Sequence, residues 1–313
     1  MRNIIVLILT VVLLFPSLTY AQKWKRQRVE YSFGLGATNF LGDLGGRDQE
    51  GTNGLMDFEY KATRFAAGLG YRYQVAKDWF VKGNLIYAKV SGDDDLTQEP
   101  ARHNRQLNFQ SHIVELSGQL EYLLIKQKTG HLYSLRGVRG KSWFRFEVYL
   151  FAGIGAAWYS PYAKKDGEWY SLKDKHTEGQ GLEGGPKQYS GFTAVVPWGI
   201  GIKRNLGGGA RSRRFSTWSI SLELTMRNTF TDYIDDVSTS YYQNPTTGEG
   251  TKAVEAAYGP DAGYFADPSG NYYEGQYGEP QQRGDHTDND AYMLGIISIN
   301  YKIQKRRRNL PKF

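Results

Sequence analysis

Period-two alternation of apolar and polar residues recurs about eight times along the chain and limits its possible folds more than any other feature does. In the clearest run Phe144, Phe146, Val148, Leu150, Ala152, Ile154, Ala156 and Trp158 share one face, with Arg145, Glu147, Tyr149, Gly153 and Gly155 on the other. Successive side chains of a strand point to opposite faces, so this pattern predicts a strand with one greasy side and one small or ionic side. A second run sets Val114, Leu116, Leu120, Tyr122 and Leu124 against Glu115, Ser117, Gln119 and Glu121. A third sets Trp218, Ile220, Leu222, Leu224 and Met226 against Thr217, Ser219, Ser221, Glu223, Thr225 and Arg227. Further strands are predicted over 31–41, 64–74, 79–90, 191–203 and 291–303, and helical periodicity is not evident anywhere. Pro197 lies inside one of them and predicts a bulge or a locally broken ladder.

The size of the side chains decides what surrounds these strands. A soluble ligand-binding barrel keeps its bulky apolar groups inside, around a pocket. Here the bulk gathers on one face, while the other mixes Gly, Ser, Thr and Ala with charges, which predicts lipid outside and a narrow polar lumen. The expected fold class is all-β, an antiparallel eight-stranded transmembrane β-barrel of the outer-membrane type. Its runs suit the ~9–11 tilted residues that cross a bilayer. Tyr71, Tyr73, Trp79, Phe144, Trp158 and Tyr301 fall near strand ends, where interfacial girdles form. Beyond residue 21 no stretch of ~18 apolar residues is available to make a spanning helix. The chain contains no cysteine, which excludes a disulfide framework, a cysteine metal site and a lipoprotein anchor.

Arg2, the apolar run Ile4 to Phe15 and the small residues before Gln22 read as a secretory signal peptide over 1–21. The barrel with long extracellular loops then spans 22–304, and 305–313 forms a basic periplasmic tail. The outer membrane is the expected location. Short connections such as Val75 to Asp78 alternate with longer outer ones, Asp43 to Ala62, Gly92 to Asn108, Ser160 to Tyr189 and Thr231 to Asn289, with Lys126 to Ser142 an exception, long for a turn. An even strand count puts both termini at the short-turn end. Counted this way, periplasmic segments carry +19 and outer loops −14. The basic end includes Lys126, Lys128, Arg136, Arg139, Lys141, Arg211, Arg213 and Arg214, and suits anionic lipid head groups or an acidic face of a periplasmic protein. Export separates the chain from nucleic acid.

Glu115, Glu121, Glu147, Glu223, Lys82, Arg145 and Arg227 are placed inward, where an eight-stranded lumen is just wide enough for side chains to fill. Paired carboxylates there suit acid–base chemistry in principle, but a salt-bridged interior plug is the simpler reading, because buried charges demand partners. The five histidines include no pair at metal-ligand spacing, and no nucleophile elbow occurs. Asp232, Asp235 and Asp236, with the run Asp93 to Asp95, are the nearest candidates for an outer-rim hydrolase or a divalent cation, against a bland reading as a solvated loop face or a strand-end turn. The segment Thr231 to Asn289, rich in Tyr, Gly, Pro and Asp, suits either an adaptable binding surface or disorder. No catalytic residue, metal or cofactor site, or small-molecule substrate is expected.

Four blocks carry a resemblance: Leu41-Gly-Asp-Leu-Gly-Gly46, His112-Ile-Val-Glu-Leu-Ser-Gly-Gln-Leu-Glu-Tyr122, Phe151-Ala-Gly-Ile-Gly155 and Thr229-Phe-Thr-Asp-Tyr-Ile-Asp-Asp-Val-Ser238. Together they resemble the PorG-like outer-membrane proteins of type IX secretion over nearly the whole mature barrel. The first and last blocks are the more specific, and put weight on Gly42, Asp43, Gly45, Gly46, Asp232, Tyr233, Asp235 and Asp236. The resemblance implies a small barrel docked on a periplasmic ring made by a lipoprotein and its partner, serving protein secretion and, in some relatives, gliding motility. It implies no enzymatic activity and no cofactor. A surface binding or adhesion barrel acting through the long acidic last loop is the alternative.

Overall fold

The computed structural model describes residues 28–44, 60–97, 100–126, 146–206, 217–270 and 281–303. Eight long antiparallel strands form its wall: β1 Val29–Leu41, β2 Arg64–Gln74, β3 Trp79–Asp93, β4 Asn108–Ile125, β5 Glu147–Lys165, β7 Phe192–Leu206, β8 Trp218–Thr229 and β9 Ala291–Lys302. Each pairs with its neighbours along the chain, and β1 pairs with β9, so the ring closes. Closure leaves no unpaired strand edge in the wall, which is what permits a β-structure to sit in lipid.

The alternation read from the sequence becomes two surfaces. Ile154 is 77% exposed and Leu224 54%, while Glu115 and Glu121 are fully buried in the lumen. All eight strands contribute to the outer apolar belt, among them Phe33, Leu69, Leu85, Leu120, Leu150, Ile200, Leu222 and Ile299. Aromatic pairs edge the belt at the turn end, with ring centroids 5.5 Å apart for Tyr31 and Tyr71, 4.7 Å for Trp79 and Tyr122, and 4.8 Å for Trp218 and Tyr301. At the other end Tyr87 and Trp158 both lie opposite Val114, and Trp158 lies opposite Phe192. From Trp79 to Tyr87 the strand climbs roughly 26 Å, or about 20 Å along an axis tilted by ~40°, close to the ~25 Å apolar band of outer-membrane barrels. Met226, expected outside, is buried in a small cluster with Leu41 and Ala291 where β8 leaves the belt.

Pro197 breaks a ladder without making a bulge. Its pairing with Arg227 of β8 is regular, but on the β5 side the register runs from Ala152↔Trp198 to Gly155↔Val195 without intervening pairs. Proline has no N–H to donate, so the interruption falls on one side of β7 only.

The outer end departs furthest from the sequence reading. β5 continues through stretch 160–165, expected as loop, and turns back into the short strand β6 Glu168–Ser171. The turn residues Asp166 and Gly167 have φ of 51° and 92°, the left-handed pair that a two-residue type I′ hairpin requires. Short helices follow: a single 3₁₀ turn Asp94–Leu96, α1 Pro100–Arg105, α2 Thr251–Tyr258 and α3 Pro260–Ala266. None is long enough to show a helical period over several turns. Where disorder and a binding surface were both open, the described parts of 231–290 are folded, with a neck closed by the Ser240↔Gln282 bridge. This cap and the outer half of the lumen share one apolar core: Phe40, Ile86, Phe109, Ile113 and Tyr292 within the barrel, and Leu44, Ile234, Val237 and Phe265 above it. In the outer half of the lumen this apolar packing surrounds a single ion pair, Glu115 with Arg227.

Candidate functional site

Inside the barrel, ion pairs cross the lumen and link neighbouring strands. At the turn end Glu30 accepts from Lys203 and pairs with Arg72 at 3.5 Å, and Arg72 donates to Glu121 at 2.5 Å. The Arg72 guanidinium also lies over the Phe80 ring, 3.7 Å from its centroid. Midway, the Lys82 ammonium donates to both oxygens of Glu223 at 2.6 and 2.8 Å, and the Tyr149 hydroxyl donates to Glu223 at 2.7 Å. Further out, Arg227 Nε donates to Glu115 at 2.6 Å and the Tyr292 hydroxyl at 2.9 Å. Glu147 sits nearer the rim and accepts from Asn205 at 2.9 Å. A cavity of about 20 Å³ beside Lys82 and Glu223 has room for about one water molecule. Such a lumen is a plug.

Above the plug the two more specific sequence blocks interlock. The Leu44 amide donates to Asp235 Oδ2 at 3.1 Å, and the Val237 amide to Asp235 Oδ1 at 3.0 Å. Asp43 accepts from the Asp285 amide at 2.8 Å, and Asp290 from the Ile234 amide at 2.8 Å. Asp236, held at φ 65°, accepts from Thr177 at 2.5 Å and Tyr189 at 2.6 Å, and the Tyr189 ring stacks on Tyr233 at 4.7 Å. A side chain at Gly42 would collide with the Asp290 carboxyl and the Phe40 ring, so glycine is required there. Gly45 and Gly46 lie outside the described residues.

Two arginines tie this layer together. Arg105 donates to both oxygens of Asp94 at 2.8 and 3.0 Å, to the Asp43 carbonyl at 2.9 Å and to the Arg283 carbonyl at 2.5 Å. Arg283 donates to Glu178 at 3.2 Å and to the Asp236 carbonyl at 2.6 Å, and Glu178 also accepts from the Ser238 and Thr239 amides. The bland reading of Asp232, Asp235, Asp236 and Asp94 as a solvated face is thereby corrected, since all four are buried. Glu178, Asp290, Arg105 and Arg283 were not singled out in the sequence. The usable signal was Arg283, one of only two cations in the strongly acidic segment Thr231 to Asn289.

Burial dominates the acid–base behaviour of this layer. It pushes Asp232 up to about 9, with Asp235 adding repulsion, and Asp43 up to about 6 against the opposing Asp285 amide and Arg105. Asp235 and Asp290 are driven well above the carboxylate range by burial and by neighbouring carboxyls. Asp236 reaches about 6, with Arg283 holding it down. Asp232 therefore holds its proton at neutrality, whereas Asp43 and Asp236 are largely ionised there, and the bonds to Asp235 and Asp290 fasten loops to one another. Asp232, Asp235, Asp236 and Asp290 are buried, and Asp43 is partly buried. Among the described residues no group of three or more His, Asp or Glu side chains is arranged to hold a metal ion.

At the opposite end Lys126 pairs with Asp78 at 2.5 Å, half exposed, an arrangement worth about 0–1 kcal/mol. Arg145, Lys128, Arg136, Arg139, Lys141, Arg211, Arg213 and Arg214 lie outside the described residues, as do 1–27 and 304–313.

Similar solved structures include Neisserial surface protein A, at 6% identity and a TM-score of 0.38 over 88% of this chain and 97% of that one. The attachment invasion locus protein Ail of Yersinia pestis, in complex with the heparin analogue sucrose octasulfate, is 9% identical with a TM-score of 0.35 over 89% and 99%. The outer membrane protein OprG from Pseudomonas aeruginosa is 9% identical with a TM-score of 0.33 over 90% and 98%. No curated protein matches the chain. Residues 5–247, most of the wall together with the Gly42-Asp43 and Asp232 to Asp236 blocks, match the family described as domain of unknown function DUF6089, and the chain belongs to that family.

Proposed function

We propose that the chain is a non-enzymatic outer-membrane anchor that docks a periplasmic ring complex of the type IX secretion apparatus through its basic turn end. The observation that carries the membrane part is the continuous apolar belt on all eight strands, bounded by aromatic pairs, around an interior of paired charges. An apolar surface of this extent in water would be an aggregation site. The plug argues for a scaffold and against a conduit. Partner choice rests on the PorG-like sequence blocks and on the +19 against −14 charge division. The ring lipoprotein and its partner protein are the expected occupants of the basic end, with outer-membrane lipids around the wall.

Neutralising Lys126, Lys128, Arg136, Arg139 and Lys141 together tests this reading. Association with the ring proteins is expected to weaken, and whatever remains to respond less to added salt, because fewer charges are left to screen. Unchanged co-purification at every salt concentration would contradict the docking face. A second reading, a surface binding or adhesion barrel, is favoured by the folded cap. The neck between Ser240 and Gln282 allows the α2–α3 excursion to be replaced by a short linker. Loss of surface binding with secretion intact would favour that reading over the first.

A further inference from the structure

The outer rim holds a cleft that neither the plug nor the cap uses. It encloses about 430 Å³, a small-ligand size, between the first residues of β2, the outer ends of β3 and β4, and the β5–β6 hairpin. Lys61, Arg64, Asp93, Lys164, Asp166 and Trp169 stand around it.

The hairpin register explains why part of this wall is free. Ala163 lies opposite Tyr170 and Lys165 opposite Glu168, while Lys164 lies opposite Trp169. Residues directly opposite share a face. On the first face Tyr170 packs against Phe265 and Lys165 donates to Asp261 at 3.0 Å, which bolts the hairpin to α3. Lys164 and Trp169 are left on the second face, turned to the cleft, with Trp169 still 49% exposed. Among the described residues about half of this indole is left uncovered.

Hydrogen bonds hold two parts of the cleft wall. Asn108 accepts from the Lys164 amide at 2.8 Å and pins the hairpin to β4, and Arg64 donates to the Lys61 and Thr63 carbonyls at 3.0 Å each. Among the described residues the Lys61 and Lys164 ammonium groups have no ion-pair partner.

Cations, a half-exposed indole and carboxylate acceptors in one cleft make a recognisable set. Cations take phosphate oxygens, an indole stacks on the apolar face of a sugar ring, and carboxylates accept sugar hydroxyls. We propose that this cleft binds a phosphorylated saccharide. Arg64 directly precedes Phe65, which is exposed in the belt, so the cleft begins one residue beyond lipid, at the height of a glycolipid head group. Only that choice of source rests on the membrane reading above.

The test uses the full mature chain in detergent micelles, titrated with three probes. These are a bisphosphorylated diglucosamine glycolipid, its deacylated water-soluble head group, and phosphatidylglycerol. Saturable binding of the first two is expected. Trp169→Ala, which removes the stacking face, and Lys61→Ala with Lys164→Ala, which removes two phosphate cations, should each weaken it about tenfold or more, while Lys187→Ala, exposed and outside the cleft, leaves it unchanged. Variants are compared only where the heat-modifiable migration of the folded barrel is retained, and Lys164→Gln with Trp169→Phe serves as a milder pair. Phosphatidylglycerol bound as tightly as the glycolipid, no saturable binding at all, or binding indifferent to the substitutions would overturn the proposal. Preference for the glycolipid over its deacylated form supports a lipid source, and equal affinity supports a free saccharide. A chain that stayed monodisperse without detergent yet bound the deacylated head group through Trp169 would remove the membrane reading and leave the cleft standing.

Discussion

Asp235 and Asp232 illustrate how one sequence block does two kinds of work. Asp235 supplies the acceptors for two buried amides, from Leu44 and Val237, and so joins the loop after β1 to the loop after β8. Asp235→Ala would strand both donors at about 1–3 kcal/mol each, and amide exchange in the cap should accelerate at least tenfold while the wall keeps its protection. Asp232 acts through its proton. In the unfolded chain it titrates near ~3.9, and in the cap it is pushed up to about 9 by burial and Asp235. The folded form holds the extra proton between those limits, so its contribution is complete below the lower one and declines as pH rises through the upper one. Protease nicking between Ser240 and Gln282 is expected to increase from pH 5 to pH 9, and Asp232→Asn to flatten that trend. Nicking that increased toward acid instead would show that the carboxyls are ionised and paired. Neither role was legible in the block, because the Leu44 amide that Asp235 accepts from, and the Asp43 and Glu178 carboxyls that help to raise Asp232, are distant in the chain and silent in a local pattern.

At the level of elements, the ladders carry the fold and the cross-lumen pairs fill it. Glu223→Ala would leave Lys82 buried without its partner, at a cost of about 3–5 kcal/mol, whereas replacing both by Leu and Met should cost far less, since an apolar pair needs no counter-charge. Urea unfolding of the barrel in phospholipid vesicles separates the two cases. Equal losses would mean that the pair itself contributes little. The strands were readable because each is judged residue by residue by two surroundings, and β2 occupies 64–74 as the alternation predicts. Where one surrounding changes, the pattern misleads. Met226 keeps the outward phase yet is covered by Leu41 and Ala291, and the outer lumen turns apolar beneath the cap. The β5–β6 hairpin had a usable signal in Asp166-Gly167, but the weight given to long outer loops masked it. The helices left no trace in periodicity, being shorter than three turns.

For the whole molecule, a closed wall, a plugged lumen and a sealed outer end together exclude an open pore. Reconstituted in a planar bilayer, the chain is expected to show no steady conductance, and removing the cap alone should not create one, because the ion-paired inner lumen remains. Within the belt, Leu222→Arg should cost about 2–4 kcal/mol, the midplane value for lipid-facing cations in such barrels, and Leu206→Arg near the turn end much less. The absence of native cysteine makes the membrane placement directly measurable. Single cysteines at Leu69, Leu120, Leu222 and Ile297 in vesicle-embedded protein are predicted to resist a water-soluble thiol reagent and to be quenched, once labelled, by lipid-borne quenchers. Rapid labelling of those four positions from water, with the vesicles intact, would contradict the lipid-facing wall from which the rest is built.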